Sequence, residues 1–394
     1  MNSEICQNKP KGRGTRSKSV VKCQLAAMCL LAFACAAGAA TIANVQARQR
    51  PKSDIVDVYY DLVESGGGVF DIAITIEGGG DRPTLSTLSG DVGVDISPGR
   101  NKHIMWDAGA DWPNHVQSNF VATVTASLDL GMQFIPGGTN EGRNPYVYGG
   151  GDSSDLGPYS LAVDSFWMDR TEVKYMRWKF VYDWAVEHGY QFDNTGGGKA
   201  LDHPVQNVNW YDCAKWCNAR SEMNGREPVY YVEGDIYRAG QVAPIVDTSK
   251  DGYRLPTSEE WEYAARGGLV GKRFPWNVYV DDRPGVINHF RANFYNSRTF
   301  DFEDRYEEKG FHPDYASGGY PYTAPVASFW PNNYGLYDMS GNVREWTGTA
   351  SGSSMILRGG TWGSNGSLCR IGSTQTSAPG TTNYSTGFRT VRRQ

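Results

Sequence analysis

The sequence predicts an α+β fold with little regular structure, preceded by a small all-β domain. The 394 residues include 47 Gly, 23 Tyr and 12 Trp, which is typical of a loop-rich fold held together by aromatic rings. Apolar and polar residues alternate between about 55 and 128, a pattern that indicates β-strands. Helical patterns with recognisable caps come later in the chain. The length allows two or three domains.

Residues 1–47 are predicted to be a signal peptide or an N-terminal membrane anchor. Six Lys or Arg residues precede an apolar run from about 25 to 43. Val45-Gln46-Ala47 then offers small residues at the −3 and −1 positions of a cleavage site. The run is nearly long enough to span a bilayer, so an uncleaved anchor is the alternative. We therefore expect a secreted, periplasmic or cell-surface protein, with membrane contact only through this segment.

Charge and cysteine content narrow the functional classes. Removing the leader from the 38 basic and 43 acidic residues leaves 32 basic and 42 acidic residues, which argues against nucleic-acid binding through bulk electrostatics. Only Cys213, Cys217 and Cys369 follow the leader, and an odd number cannot all pair internally. Cys213 and Cys217 share one face of a predicted helix, which favours burial over a disulfide.

Residues 48–130 are predicted to form a small antiparallel β-sandwich. A short linker at 48–54 is followed by alternating runs at 56–62, 70–76 and 120–128. Glycine-rich turns separate the first runs. The segment contains no cluster of catalytic side chains, so we interpret it as a spacer or adhesion module.

Residues 131–394 are predicted to form a second domain with short strands, three helices and long loops. The helices are indicated by apolar stripes and by capping residues. They are a helix at 175–187 ended by Gly189, a helix capped by Asn209, and a helix through Ala265 with a Thr257–Glu260 capping box and Gly267 at its end. Residues 290–325 lack a regular pattern, which predicts a long ordered loop.

The stretch from 333 to 370 carries the candidate functional residues. Its first half places aromatic residues beside glycines and side-chain oxygens, so its carbonyls and carboxylates could bind a hard cation. Its second half places Cys369 near a glycine turn and among arginines, and a nearby cation favours the reactive thiolate. The alternative for both halves is structural: an ordinary turn and a small buried cysteine.

Several short motifs, in this order along the chain, resemble one family. They are His203-Pro204-Val205, Val208-Asn209-Trp210, Tyr253-Arg254-Leu255-Pro256-Thr257, Glu260-Trp261-Glu262, Phe274-Pro275-Trp276, Tyr334-Gly335-Leu336-Tyr337, Gly341-Asn342, Glu345-Trp346, Arg358-Gly359-Gly360 and Gly387-Phe388-Arg389. Together they resemble the formylglycine-generating enzyme, or sulfatase-modifying factor, domain. The resemblance covers about residues 131–394.

The resemblance implies a mixed fold related to C-type lectins, and it implies two kinds of metal. Founding members oxidise a sulfatase cysteine to formylglycine with oxygen and a copper ion held by two thiolates. Structural calcium is also implied, at positions that carry over onto Asn293 and Phe294 for one ion and onto Asp338, Gly341, Val343 and Glu345 for the other. Gly341 and Val343 would act through backbone carbonyls. Gly318 stands where the family has an aspartate, which weakens the first calcium site.

Two positions depart from the family pattern. The second catalytic thiol is present as Cys369, but the first position is Ser364. Copper(I) favours two soft sulfur ligands, so this pair argues against a copper site. Cys217 matches a family disulfide cysteine whose partner position is Thr390 here. We therefore expect the scaffold to persist while the oxidation is lost or changed.

Three functions remain open from the sequence. The first is an oxidase acting on a cysteine of an exported protein, with Cys369 as the metal thiolate and Ser364 as a remnant position. The second is a binding module whose cleft, lined by Trp346 and Trp362, takes a protein or a glycan. The third is a different metal-dependent oxidase, although the six histidines show no paired spacing.

Overall fold

The computed structural model describes residues 41–51, 53–63, 70–78, 81–113, 120–127, 131–143, 158–276, 279–280 and 283–394. It has a mixed α/β architecture with few helices and many short strands. Most of the predicted leader, the turn at 65–68 and His115 lie outside the described residues. Within them, no helix is both long and apolar enough to cross a membrane.

The first part of the chain forms two antiparallel sheets and one short helix. Its elements are β1 (Thr41–Gln49), β2 (Ile55–Val63), β3 (Phe70–Gly78), β4 (Leu88–Gly90), β5 (Gly93–Ile96), β6 (Gly99–Asp107), α1 (Ala108–Asp111) and β7 (Phe120–Ser127). One sheet has the order β1-β2-β6-β4, and the other has the order β5-β3-β7. The alternating runs at 56–62 and 70–76 are strands, and the run at 120–128 is a strand up to 127, its last described residue.

Strand β1 crosses the predicted boundary between leader and linker. It pairs antiparallel with β2, from Thr41 opposite Val63 to Gln49 opposite Val56. Residues 48 and 49, assigned above to a linker, are therefore part of an edge strand. Cleavage after Ala47 stays a prediction, and it would remove most of β1 and expose the backbone hydrogen-bonding groups of β2.

The buried sides of the two sheets join the core of the rest of the chain. Val58 and Ile104 are completely buried, and they belong to the same apolar cluster as Phe180 of the following part. Phe70 packs edge-on against Phe180 with ring centroids 5.6 Å apart. The first sheets therefore rest directly on the part of the chain that carries the family motifs.

The second part combines three longer helices with many short strands. Its elements are β8 (Met132–Ile135), β9 (Gly138–Arg143), β10 (Pro158–Val163), β11 (Phe166–Asp169), α2 (Tyr175–Glu187), α3 (Trp210–Met223), β12 (Tyr230–Val232), β13 (Asp235–Ile236), β14 (Ile245–Val246), α4 (Ser258–Arg266), β15 (Tyr279–Val280), β16 (Arg283–Pro284), β17 (Arg344–Ser351), β18 (Ser354–Arg358), β19 (Gln375–Ser377), β20 (Thr386–Gly387) and β21 (Val391–Arg393). Its largest sheet has the order β19-β18-β17-β20. The last strand, β21, returns to pair with β11.

The helix ends follow the capping predictions. The Asn209 side chain accepts a hydrogen bond from the Asp212 backbone N–H at 2.8 Å. Thr257 and Glu260 form the expected reciprocal capping box, and Gly267 ends α4 with a φ of 55°, a conformation that glycine adopts readily. The segment 285–343 contains turns and isolated bridges instead of helices or paired strands, as predicted for 290–325.

Buried tryptophans join α2 to α3. Trp178 and Trp216 stack at 5.9 Å with an interplanar angle of 5°, and Phe388 meets both rings edge-on. Cys213 and Cys217 are fully buried and free, so the predicted burial is confirmed. Burial raises the pKa of both thiols, which makes them unreactive.

Candidate functional site

Cys369 lies in an apolar environment that disfavours its thiolate. The side chain is completely buried among Phe274, Ile287, Ala292, Phe294 and Phe302. Burial raises the pKa of the thiol, and the Glu303 carboxylate raises it further. The thiolate expected from the neighbouring arginines is therefore wrong, because Arg370 instead donates to the Ser367 carbonyl at 2.7 Å and lies over the Phe302 ring.

Ser364 is close to Cys369, but its hydroxyl is bonded elsewhere. The Ser364 hydroxyl accepts a hydrogen bond from the Thr361 backbone N–H at 3.1 Å and shares another with the Thr361 hydroxyl. Only the backbone carbonyl of Ser364 approaches the thiol, with 4.0 Å between Cys369 Sγ and the oxygen. The two predicted catalytic positions meet, yet they present one thiol and one engaged hydroxyl. This donor set does not fit a copper(I) ion.

Glu303 anchors the cysteine loop, and the sequence analysis missed it. Its Oε1 accepts from the Gly366 backbone N–H at 2.8 Å. Its Oε2 accepts from the Ser297 hydroxyl and the Thr299 backbone N–H. A Cβ at Gly366 would lie 2.9 Å from Glu303 Cγ. The sequence hints at this contact only through the glycine at 366. Glu303 itself lies in a segment without periodicity.

Gly341 and Asn342 bring the two predicted calcium segments together. Asn342 donates its backbone N–H to the Asn293 carbonyl at 2.8 Å, and its own carbonyl accepts from Trp362 N. Gly341 has a φ of 86°, and a Cβ there would lie only 2.2 Å from the Asn293 carbonyl oxygen. The 341–342 turn therefore requires glycine for both its conformation and its close approach.

Glu345 forms a buried ion pair with Arg389. Both side chains are completely buried, and Arg389 donates its Nε and Nη2 to the two Glu345 oxygens at 2.7 and 2.8 Å. Trp261 Nε1 donates to Glu345 Oε2 at 2.7 Å. Both oxygens of this predicted calcium ligand are thus engaged within the protein, so Glu345 could bind an ion only by sharing them.

Two more buried carboxyl groups lie near this ion pair. Glu172 accepts from Asn342 Nδ2 at 2.9 Å and from Val343 N at 3.0 Å. Burial raises its pKa well above the usual range, and the charges of Asp338 and Glu345 raise it further. Burial raises the pKa of Asp338 to about 6, and the negative charge of Glu345 contributes to this rise. Three acidic groups therefore share one nearby cation, Arg389.

The residues predicted to bind calcium are only partly suited to a cation. Asp338 Oδ1 and Asn293 Oδ1 are buried without a hydrogen-bond partner among the described residues, which is the state expected of oxygens that await a ligand. Phe294 is buried, and its carbonyl lies 3.2 Å from His289 Nε2. Gly318 is exposed and supplies no carboxylate. In the described part of the chain, no three His, Cys, Asp or Glu side chains form a metal cluster.

Two histidines come together that the sequence did not pair. The rings of His289 and His312 lie 5.2 Å apart. Burial lowers the pKa of both side chains, that of His289 to about 4. His312 Nε2 lies 2.9 Å from the His289 carbonyl, and His289 Nε2 lies near the Phe294 carbonyl. These contacts are those of structural histidines with satisfied ring nitrogens.

A group that we call the aromatic surface consists of Tyr320, Trp362 and Tyr384. Tyr320 is 65% exposed and Tyr384 is 50% exposed, whereas Trp362, which packs against both rings, is only 4% exposed. The Trp362 indole N–H is buried without a partner among the described residues. Trp346, expected to line a cleft with Trp362, is instead 1% exposed and donates to the Val208 carbonyl. The prediction for Trp346 is therefore wrong.

Thr390 has a different role from a disulfide partner. Its hydroxyl accepts from Arg220 Nη1 at 2.7 Å and donates to Asp169 Oδ2 at 2.7 Å. Arg220 also contacts both Asp169 oxygens, at 3.0 and 2.9 Å. An ion pair completed by Thr390 thus joins α3, β11 and the C-terminal segment, while Cys217 stays free.

Comparison with known proteins decides the family. The profile of the sulfatase-modifying factor enzyme 1-like domain matches residues 120–394. The chain belongs to this family. The match starts eleven residues before the boundary predicted at 131, because it includes β7. The fold observed here, with its short strands and long loops, is therefore the scaffold that the motifs predicted.

Relatives in the family differ in what their names say about activity. The chain is 28% identical to the chaperone protein LppX of Paenibacillus barcinonensis, over 57% of this chain and 80% of the relative. It is 29% identical to the formylglycine-generating enzyme of Streptomyces coelicolor, over 52% of this chain and 57% of that protein. It is 33% identical to the inactive C-alpha-formylglycine-generating enzyme 2 of Mus musculus, over 50% of this chain and 51% of that protein. The chain thus spans little more than half of the latter two.

A solved structure shares the fold. The crystal structure of CarF aligns with a TM-score of 0.50 and 25% sequence identity, over 67% of this chain and 98% of that chain. Since family members carry both active and inactive names, the family does not by itself decide the chemistry.

Proposed function

We propose that this protein is an exported family member that does not oxidise cysteine and instead uses the scaffold to bind a ligand. The environment of Cys369 carries this proposal. A single, fully buried thiol with a raised pKa and a hydrogen-bonded Ser364 hydroxyl do not supply the two soft ligands that copper(I) favours. Export rests on the predicted leader at 1–47. The two N-terminal sheets, as a small sandwich at 48–130, would act as the spacer module.

The aromatic surface is the proposed ligand site. Tyr320 and Tyr384 are exposed, and their ring centroids lie 6.1 Å apart. Aromatic rings give stiff contact area for a sugar ring or a protein side chain. Trp362 packs against both rings, and its indole N–H is buried without a hydrogen-bond partner among the described residues. A ligand oxygen could accept this hydrogen bond if the surrounding rings moved to open the buried N–H, which would remove the cost of an unsatisfied donor. We favour a glycan, since its rings stack and its hydroxyls accept.

Two assays on the purified protein test the proposal. A sulfatase peptide incubated with the protein, copper and oxygen should show no loss of mass, because the second thiol is missing, and copper should not be retained stoichiometrically. On a glycan array the protein should bind saturably. Binding should persist in Cys369→Ala and fall about tenfold in Tyr384→Ala, which removes one stacking face.

Matched variants separate the two halves of the proposal. Tyr306 is 78% exposed and lies outside the aromatic surface, so Tyr306→Ala should bind glycans as the unchanged protein does. Ser364→Cys supplies the second thiol and is the positive control for copper retention. Formation of the peptide aldehyde by the unchanged protein would overturn the loss of oxidation. Equal glycan binding by Tyr384→Ala would overturn the ligand site.

We also propose that calcium stabilises the fold at Asp338 and the neighbouring carbonyls of Gly341 and Val343. The unpaired, buried Asp338 Oδ1 supports this, as does the preference of calcium for oxygen ligands. Asn293 also carries an orphaned oxygen, but its segment is the weaker of the two candidate sites because Gly318 offers no carboxylate there. When bound, calcium would hold the loops together, and it would take no part in a reaction.

Calcium should therefore raise the melting temperature of the chelator-treated protein. At a calcium concentration of about 100 times Kd, linkage stabilises the folded state by about 2.7 kcal/mol. Calorimetry with calcium and with magnesium measures the shift. Asp338→Asn should lose most of the calcium effect, whereas Asp235→Asn, a change at an exposed residue, should keep it. The same shift in Asp338→Asn as in the unchanged protein would exclude this ion site.

A further inference from the structure

Strand β1 bears on where the predicted leader ends. The strand covers Thr41–Gln49 and pairs antiparallel with β2, beginning with Thr41 opposite Val63. It therefore begins six residues before Ala47, the residue after which the sequence predicts cleavage. A segment assigned to a leader is thus a strand of the folded protein.

Side chains of β1 also join it to the rest of the N-terminal sheets. Ile42 and Ala47 are partly buried and pack against the apolar core cluster. Ala47 lies opposite Val58, which is completely buried. Asn44 donates its Nδ2 to Asp61 Oδ2 of β2 at 2.7 Å. The strand is therefore held by packing and by a side-chain hydrogen bond as well as by its backbone ladder.

Cleavage after Ala47 would remove the first seven of the nine residues of β1. Only the pairs of Arg48 and Gln49 with β2 would remain. The other backbone groups of β2 on that side would lose their partners, and the core would lose the cover that Ile42 provides. An unpaired edge of this kind favours pairing with another chain and aggregation. A mature chain that starts at 48 would therefore lack part of its own sandwich.

The sequence contains an earlier cleavage site, directly before β1. The segment Gly38-Ala39-Ala40 follows the apolar run. Small residues stand at the −3 and −1 positions for a cut after 39 and equally for a cut after 40. Counted from 25 to 37, the apolar run has 13 residues, within the roughly 7–15 of an export signal. Counted to 43 it has 19, which exceeds that length.

We propose that the leader is removed after Ala39 or Ala40, so that the mature protein begins at Ala40 or Thr41 and keeps the whole of β1. The step is hydrolysis by the signal peptidase of the export pathway. Water adds across one peptide bond, which leaves a carboxylate on the released leader and an amino group on the mature chain. Thr41 is exposed and its partner Val63 is 52% exposed, so the new charged terminus stays in water. The inference rests on the proposed export of the protein.

Expression of the full chain with its own leader in an exporting bacterial host tests the cleavage site. The intact mass of the exported protein should correspond to an N-terminus at Ala40 or Thr41. Ala39→Leu combined with Ala40→Leu should abolish cleavage there, because both −1 positions then carry a large side chain. Ala47→Leu should be cleaved as the unchanged protein is. Val45→Asp changes the −3 position of the later site at a residue that is 38% exposed, so it gives the same control without a change in the core.

The possible masses separate the cleavage site from export itself. An exported protein that begins at 48, or at any residue other than 40 or 41, would overturn the proposed site and leave export intact. So would an exported chain that keeps its leader as an anchor. Loss of cleavage in Ala47→Leu and Val45→Asp, with normal cleavage in the Ala39 and Ala40 double variant, would assign the site to Ala47 instead. A full-length chain retained inside the cell would overturn both the cleavage site and the export on which it rests.

Discussion

Replacing Arg389 with methionine should destabilise the fold by about 3–5 kcal/mol, since removal of one partner leaves a buried charge without compensation. Glu345 would lose both of its guanidinium contacts. Burial and neighbouring carboxyl groups already raise the pKa values of Glu172 and Asp338, and both groups would lose the Arg389 charge that lowers these values. Arg389 also donates to the Tyr337 carbonyl at 2.9 Å, so the loop before the 341–342 turn would lose an anchor.

Urea unfolding followed by tryptophan fluorescence measures this effect. Arg82→Met is the matched control, because Arg82 pairs with Glu77 at the surface, and exposed pairs contribute only about 0–1 kcal/mol. If the unfolding free energies of Arg389→Met and Arg82→Met fell by the same small amount, Arg389 would not hold the buried carboxyl groups.

Gly341→Ala should be the most damaging single-methyl change in the 333–370 stretch. A left-handed conformation costs a non-glycine residue about 1–2 kcal/mol. The added Cβ would also lie 2.2 Å from the Asn293 carbonyl oxygen, so the loops must separate. The Asn342-to-Asn293 hydrogen bond would then be lost at a further cost of about 1 kcal/mol. We expect a total loss of about 2–3 kcal/mol.

Gly352→Ala separates the two causes of this loss. Gly352 also has a positive φ, of 61°, but a Cβ there meets no atom within 4 Å. Its substitution should therefore cost only the conformational term of about 1–2 kcal/mol. Chemical unfolding of both variants in calcium-free buffer gives the comparison. Equal losses in the two variants would show that the contact with Asn293 carries no stability.

Local sequence signals predicted the secondary structure well where the interactions themselves are local. The Thr257–Glu260 capping box spans four residues, and Asn209 caps α3 through Asp212 three residues later. Alternating side chains likewise indicated β2, β3 and β7. Strand β1 was missed because its apolar residues also fit an export signal. The ordered short motifs identified the scaffold, and they include helix caps, turns and the start of strand β17.

The sequence by itself determined the family, the helix ends and the absence of a second thiol at position 364. Only the tertiary structure decided which of the candidate side chains are buried and which ones form ion pairs. The pKa of the Cys369 thiol is raised because side chains from 274 to 302 bury it, and Arg389 meets Glu345 across 44 positions of the chain. Likewise, Trp346 and Trp362 are both buried, and Trp362 packs against the exposed rings of Tyr320 and Tyr384. The physical reason is that burial and charge pairing depend on residues far apart in the chain, whereas caps and alternation depend on neighbours.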